Sequence, residues 1–126
     1  MYTFSKSERL CSKILIDKLF KNGSSFYLEP FKVMWLDTAI PDCKSNAQII
    51  IGVSKKLIKN AVCRNKIKRR IKEAYRLNKH TLYNTLEINN KQCVIAFLYT
   101  TKQINDFNLI QNKILLILQR LQKELS

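Results

Sequence analysis

Twenty-five residues, Lys55 to Lys79, hold eleven of the 23 Lys and Arg residues of this chain and one acid, Glu73. That stretch carries +10 of the formal net charge of +14, and the other 101 residues carry the remaining +4. Its centre reads Arg64-Asn65-Lys66-Ile67-Lys68-Arg69-Arg70-Ile71-Lys72-Glu73-Ala74-Tyr75-Arg76. Guanidinium groups can grip phosphate oxygens through paired hydrogen bonds, and ammonium groups supply point charge. A concentrated patch of this sign calls for a polyanionic partner. Nucleic acid is the first candidate, with an anionic membrane surface as the weaker one.

Other chemistry is harder to assemble. The nine acids are scattered, as Asp17, Asp37, Asp42, Asp106 and five glutamates. A protein-only nuclease would need them clustered around magnesium. Cys11, Cys43, Cys63 and Cys93 lie far apart with no C-x-x-C pair, and His80 is the only histidine. Zinc sites use close ligand pairs, and thiols in a reducing cytoplasm stay free. No catalytic constellation and no metal site is expected on this chain.

The 126 residues are expected to form one domain, 1–126, with 46% hydrophobic residues to fill its core. No apolar run approaches the roughly 20 residues that span a bilayer. The first residues, Met1 to Lys6, lack the apolar core of a signal peptide. The expected location is cytoplasmic, with no membrane partner.

The elements that must position the patch follow from periodicity. A first helix is predicted from about Ser12, its N-cap, to Lys21, before the helix-ending pair Asn22-Gly23. Leu15 with Leu19, and Ile16 with Phe20, give it a broad apolar face. Three strand-like runs follow: Phe26 to Leu28, Phe31 to Asp37, and Ala47 to Ser54. In the second, Phe31, Val33 and Trp35 alternate against Lys32, Met34 and Leu36. A loop at 40–46 separates the second run from the third. A fourth strand is predicted over Cys93 to Tyr99, and a core-facing helix over about Asp106 to Leu125, with Asn105 or Asp106 as its cap. Between them, 61–78 contains no Gly or Pro and reads as helix. The order is αβββαβα, an α+β two-layer sandwich on a small mixed sheet.

At about 100° per residue, Ile67, Ile71, Ala74 and Tyr75 fall on one side of the basic helix. Asn65, Lys68, Arg69, Lys72 and Arg76 form a continuous line on the other, flanked by Lys66 and Arg70. Like charges on one helix repel, and a solvated face normally interleaves glutamates. Asn65 adds a donor and an acceptor, suited to a backbone group, a base or a 2′-hydroxyl. Lys55 and Lys56 extend the patch off the helix.

Gly52-Val53-Ser54-Lys55-Lys56, then Ala61-Val62 and Arg64-Asn65-Lys66-Ile67-Lys68-Arg69, closely resemble the signature of the bacterial ribonuclease P protein subunit. The family's "RNR" motif stands here as Arg64-Asn65-Lys66. The resemblance covers essentially the whole chain, including Leu19-Phe20-Lys21-Asn22-Gly23 at the end of the first helix. It implies an αβββαβα fold with the basic helix in a left-handed β-α-β crossover. It implies a subunit that binds the catalytic RNA and helps it recognise precursor tRNA, whose 5′ leader is removed by endonucleolytic cleavage. The resemblance places the chemistry and its Mg2+ in the RNA, leaving the protein inactive alone.

By position, Arg64, Asn65, Lys66, Lys68, Arg69 and Lys72 would face the RNA subunit, with Lys55 and Lys56 at the edge of that surface. Arg76 ends the same line. The family also binds the single-stranded leader in a cleft between the first helix and the sheet. Phe20 matches an aromatic position of that cleft, and Ile16 and Met34 fall where relatives often carry aromatics. Stacking on unpaired bases is the expected physics; the alternative for all three is core packing. Two departures stand out. The turn Leu57-Ile58-Lys59-Asn60 has no glycine, and Cys63 precedes Arg64 where polar residues are common. A structural RNA-binding protein of ribosomal type would use the same patch but needs no leader cleft. A DNA-binding helix for a major groove is the remaining alternative.

Overall fold

A computed structural model describes residues 4–43 and 45–126. Met1, Tyr2 and Thr3, part of the stretch read for a signal peptide, lie outside the described residues, as does Lys44 in the 40–46 loop. The helices are α1 (Lys13–Asn22), α2 (Ala61–Asn78), α3 (His80–Ile88) and α4 (Phe107–Glu124). The strands are β1 (Ser24–Leu28), β2 (Phe31–Asp37), β3 (Ala47–Val53) and β4 (Cys93–Tyr99). A 3-10 turn, Lys6–Glu8, precedes them.

The expected order is present, with α3 added directly behind α2. Sequence gave no expectation for α3, and its physics explains why. Its residues His80-Thr81-Leu82-Tyr83-Asn84-Thr85-Leu86-Glu87-Ile88 are mostly modest helix formers, and no side chain caps its start. Leu82 and Leu86, one turn apart, are fully buried in the main core. Tertiary packing holds this helix.

Helix starts elsewhere obey the local code. Ser12 Oγ accepts from Leu15 N–H at 3.3 Å, and Asp106 Oδ1 accepts from Leu109 N–H at 3.0 Å. At the end of α1, Gly23 N–H donates to Leu19 O at 2.8 Å. A Cβ at Gly23 would lie 2.4 Å from that same oxygen, so the tight passage from α1 into β1 requires glycine.

The sheet order is β1-β2-β4-β3. β1 pairs antiparallel with β2, and β2 with β4, while β3 runs parallel to β4. Parallel neighbours need a crossover, which α2 and α3 supply. Strand alternation divides the core in two. Phe31, Val33, Ile49, Ile95, Phe97 and Tyr99 face Ile67, Ile71 and Tyr75 of α2 and Ile110, Ile114, Ile117 and Leu121 of α4. This is the expected sandwich of sheet and helices. On the opposite face, Met34, Val94 and Ala96 lie beneath Leu15 and Leu19 of α1, with Leu10 and Ile40 closing the sides. Among the described residues α1 is the only helix on that face, so part of the face stays open.

Candidate nucleic-acid interface

The turn into α2 needs no glycine because no residue from 54 to 60 has a positive φ. Ile58 N–H donates to Ser54 O at 3.0 Å, and the Ile58 side chain is buried as an anchor. Asn60 Oδ1 caps α2, accepting from Val62 N–H at 2.8 Å and Cys63 N–H at 3.4 Å. Arg64 Nη1 donates to Ile58 O and Lys59 O at 2.8 and 2.9 Å. Arg64 therefore braces the turn from which the helix departs, a job invisible in its sequence position.

Ile67, Ile71, Ala74 and Tyr75 are completely buried, as the helical period predicts. Burying each large apolar side chain is worth about 1.5–3 kcal/mol, so the register of α2 is strongly held. Asn65, Lys66 and Arg69 are exposed, and Lys68 and Lys72 are half-buried along the same line. Lys55 and Lys56 are exposed in the preceding turn. Among the described residues, no carboxylate pairs with Lys55, Lys56, Arg64, Lys66, Lys68, Arg69 or Lys72. Arg70, on the flank, ties α2 to the loop before α4 by donating to Asn105 O.

Two further cations of the run pair with carboxylates. Arg76 meets Glu73 through both carboxylate oxygens, Nε to Oε1 at 2.6 Å and Nη2 to Oε2 at 2.8 Å. These hydrogen bonds hold the Glu73 carboxyl below its ordinary range. Lys79 leaves the surface entirely. It is 3% exposed and pairs with Glu8, itself 4% exposed, at 2.5 Å. Tyr83 Oη donates to the same Glu8 oxygen at 2.6 Å and sits 2.8 Å from Tyr75 Oη. Ser5 N–H donates to the other oxygen at 3.0 Å. Burial alone would raise the Glu8 carboxyl. The donors Lys79, Tyr83 and Ser5 outweigh it and hold the group below its ordinary value of 4.5. Burial pushes the hydroxyls of Tyr75 and Tyr83 upward, so both stay protonated as donors.

The α1 face presents different chemistry. One cross-strand row spans all four strands: Tyr27 opposite Lys32, Lys32 opposite Leu98, and Leu98 opposite Gly52. The next row, Ser25, Met34, Ala96 and Ile50, runs partly under α1. In the outer row Tyr27 is 58% exposed, Lys32 is exposed, and Leu98 is half-buried. A Cβ at Gly52 would come within 2.9 Å of Leu98 Cδ2, so glycine keeps this end low. On α1 itself Phe20 is 46% exposed. Ile16 is half-buried and packs on the small cluster that contains Met34. Met34 is only 9% exposed, which makes it a floor residue. The sequence reading singled out Phe20, Ile16 and Met34 but passed over Tyr27, Lys32 and Leu98. Strand alternation would have placed these three on the face of Met34, had the row been followed across the sheet.

The thiols are free: Cys11 is exposed, Cys43 and Cys63 are half-buried, and Cys93 is buried. Burial pushes the Cys93 thiol up to about 12, with the Asp37 carboxylate adding to it. Among the described residues no group of three His, Cys, Asp or Glu side chains stands together in a metal-holding arrangement. No helix of the described residues is long and apolar enough to cross a membrane.

The ribonuclease P family model matches residues 4–122. The chain belongs to the ribonuclease P protein family. It is 33% identical to the ribonuclease P protein component of Porphyromonas gingivalis over 110 residues, covering 87% of this chain and 80% of the relative. It is 34% identical to that of Chlorobium phaeobacteroides over 119 residues, covering 86% and 81%. Among solved structures, the RNase P protein of Staphylococcus aureus superposes with a TM-score of 0.72 at 26% identity, covering 91% of this chain and 95% of that one. That of Thermotoga maritima gives 0.71 at 27%, covering 90% and 96%. The ribonuclease P family places this chain within an RNA-binding ribonucleoprotein enzyme of tRNA processing, with the ribonuclease P RNA as partner.

Proposed function

We propose that α2 docks this protein on the catalytic RNA of ribonuclease P, and that the open face beside α1 holds the 5′ leader of precursor tRNA. The observation that carries the reading is the basic line of α2 on a fully buried back, its members Lys66, Lys68, Arg69 and Lys72 facing no carboxylate among the described residues. Asn65, Lys66, Lys68, Arg69 and Lys72, with Lys55 and Lys56 beside them, contact phosphates and riboses of the RNA subunit. Arg64 does so while bracing the turn, and Arg76 contributes less because Glu73 already holds its guanidinium. The leader lies along the row Tyr27, Lys32 and Leu98, with Phe20 and Ile16 on the helix side and Met34 beneath. Exposed rings stack on unpaired bases and a cation meets the backbone, which suits a single strand of any sequence. Endonucleolytic cleavage and its Mg2+ belong to the RNA, and the protein acts by binding, in the cytoplasm where tRNA is processed.

The test is a precursor tRNA cleavage assay with protein alone, RNA subunit alone and both, alongside affinities for precursor and mature tRNA. The protein alone is expected to cleave nothing. Together with the RNA it should favour precursor over mature tRNA. Equal affinities for the two tRNAs with the protein present would overturn the leader assignment.

A further inference from the structure

The N-terminal strap, from Phe4 to Leu10, has no part in that reading. It runs along β3, an edge strand: Leu10 N–H donates to Ile49 O at 2.8 Å, and Arg9 bridges Ile49 in parallel. Between strap, β3 and α2 lies a cleft of about 260 Å3. Arg9 of the strap and Lys68 and Lys72 of α2 line it, over Leu10 and Ile50, with Cys11 at its wall.

We propose that this cleft is a phosphate pocket for one nucleotide of the RNA subunit, with Arg9 completing a triad of cations and Glu8 holding Arg9 in place. The proposal rests on α2 docking that RNA. Three cations from two separate elements converge here, and among the described residues no carboxylate pairs with any of them. Converging like charges are costly until an anion sits between them. The apolar floor suits the nucleoside attached to that phosphate. Lys72 is also positioned by the strap: its ammonium lies 5.6 Å from the Phe4 ring centroid, and Phe4 packs edge-on against Tyr75 at 6.1 Å. The exposed Arg9 directly follows the buried Glu8, which is fastened to Lys79 and Tyr83. Glu8 is thus a positioning residue: it pins the strap from inside so that Arg9 stands outside in a fixed place.

Cys11 supplies a local reporter, because it is an exposed thiol in the cleft wall. With the full chain, saturating RNA subunit should slow iodoacetamide alkylation of Cys11 about tenfold, read by mass spectrometry. Arg9→Ala should weaken RNA-subunit binding about tenfold. It should also flatten the salt dependence by one contact, roughly 0.7–0.9 in slope. Glu8→Gln, assayed where circular dichroism shows it folded, should flatten the slope equally, and a lowered melting temperature with an unchanged slope would overturn its positioning role. Unprotected Cys11, or an Arg9→Ala variant with wild-type affinity beside a weakened Arg69→Ala, sinks the pocket and leaves the α2 reading standing. Wild-type binding by both variants sinks both. Cys11 protection that arises only when precursor tRNA is added overturns the assignment to the RNA subunit.

Discussion

Helices α1 and α2 pack on opposite faces of one sheet and expose opposite chemistry. α2 buries four residues completely and presents cations that, among the described residues, no carboxylate neutralises along most of their line. α1 buries only Leu15 and Leu19, and leaves Phe20 exposed beside an open row of the sheet. Charged side chains reach water from almost any helix surface, so their place follows from the helical period alone. An exposed aromatic is a shortfall in coverage, and coverage depends on every neighbouring element. One surface is therefore written in a single helix, and the other is made by what α1 fails to cover.

The largest expected effect tests what holds α2 and the strap in place. Glu8→Ala removes the carboxylate that pairs with the buried Lys79, and should cost about 3–5 kcal/mol of stability in urea unfolding. The pH dependence has a definite sign. The Glu8 carboxyl is lowered in the fold, so its contribution is complete above its ordinary 4.5 and is lost as pH falls through the folded value. Glu8→Gln should remove that acid-side loss; an unchanged acid profile would show that the pair is not a source of stability.

Next comes the contrast between the two surfaces. Phe20→Ala should lose about 1–3 kcal/mol of precursor tRNA binding, the range for a stacked base, and leave RNA-subunit affinity unchanged. Arg69→Ala should do the reverse: weaker RNA-subunit binding, a salt slope smaller by roughly 0.7–0.9, and stability within about 0.5 kcal/mol of wild type. Loss of both bindings in either variant would merge the two surfaces into one. The smallest effect lies within α2. Arg76→Ala should weaken RNA-subunit binding less than Arg69→Ala, because Glu73 holds the Arg76 guanidinium. Glu73→Gln should tighten binding by freeing it; weaker binding would mean that the pair orients Arg76 toward RNA.

Much of this was legible in the chain. The bounds of β2, α2 and β4, the cap Ser12, and the two sides of α2 follow from local rules that the fold obeys, and of the two caps open for α4, Asn105 and Asp106, the fold uses Asp106. α3 was not legible, because Leu82 and Leu86 hold a weak helix only once α4 and the sheet are there to receive them. Lys79 misled for a related reason: in sequence it extends the basic run, yet its partner Glu8 is 71 residues away. Met34 was readable as a strand position on the face of Lys32, with cleft and core packing both open, and its near-complete burial depends on α1 lying over it.

The sequence by itself determined that α2 carries cations on one side and a core stripe on the other, because that division needs only the period of one helix and the solvation of charge. The tertiary structure alone decided which cations stay available. It drew Lys79 inward, set Glu73 against Arg76, turned Arg64 onto the preceding turn and placed Arg9 beside Lys68 and Lys72. Pairing depends on distance in space, and residues distant along the chain become neighbours only when the core has closed.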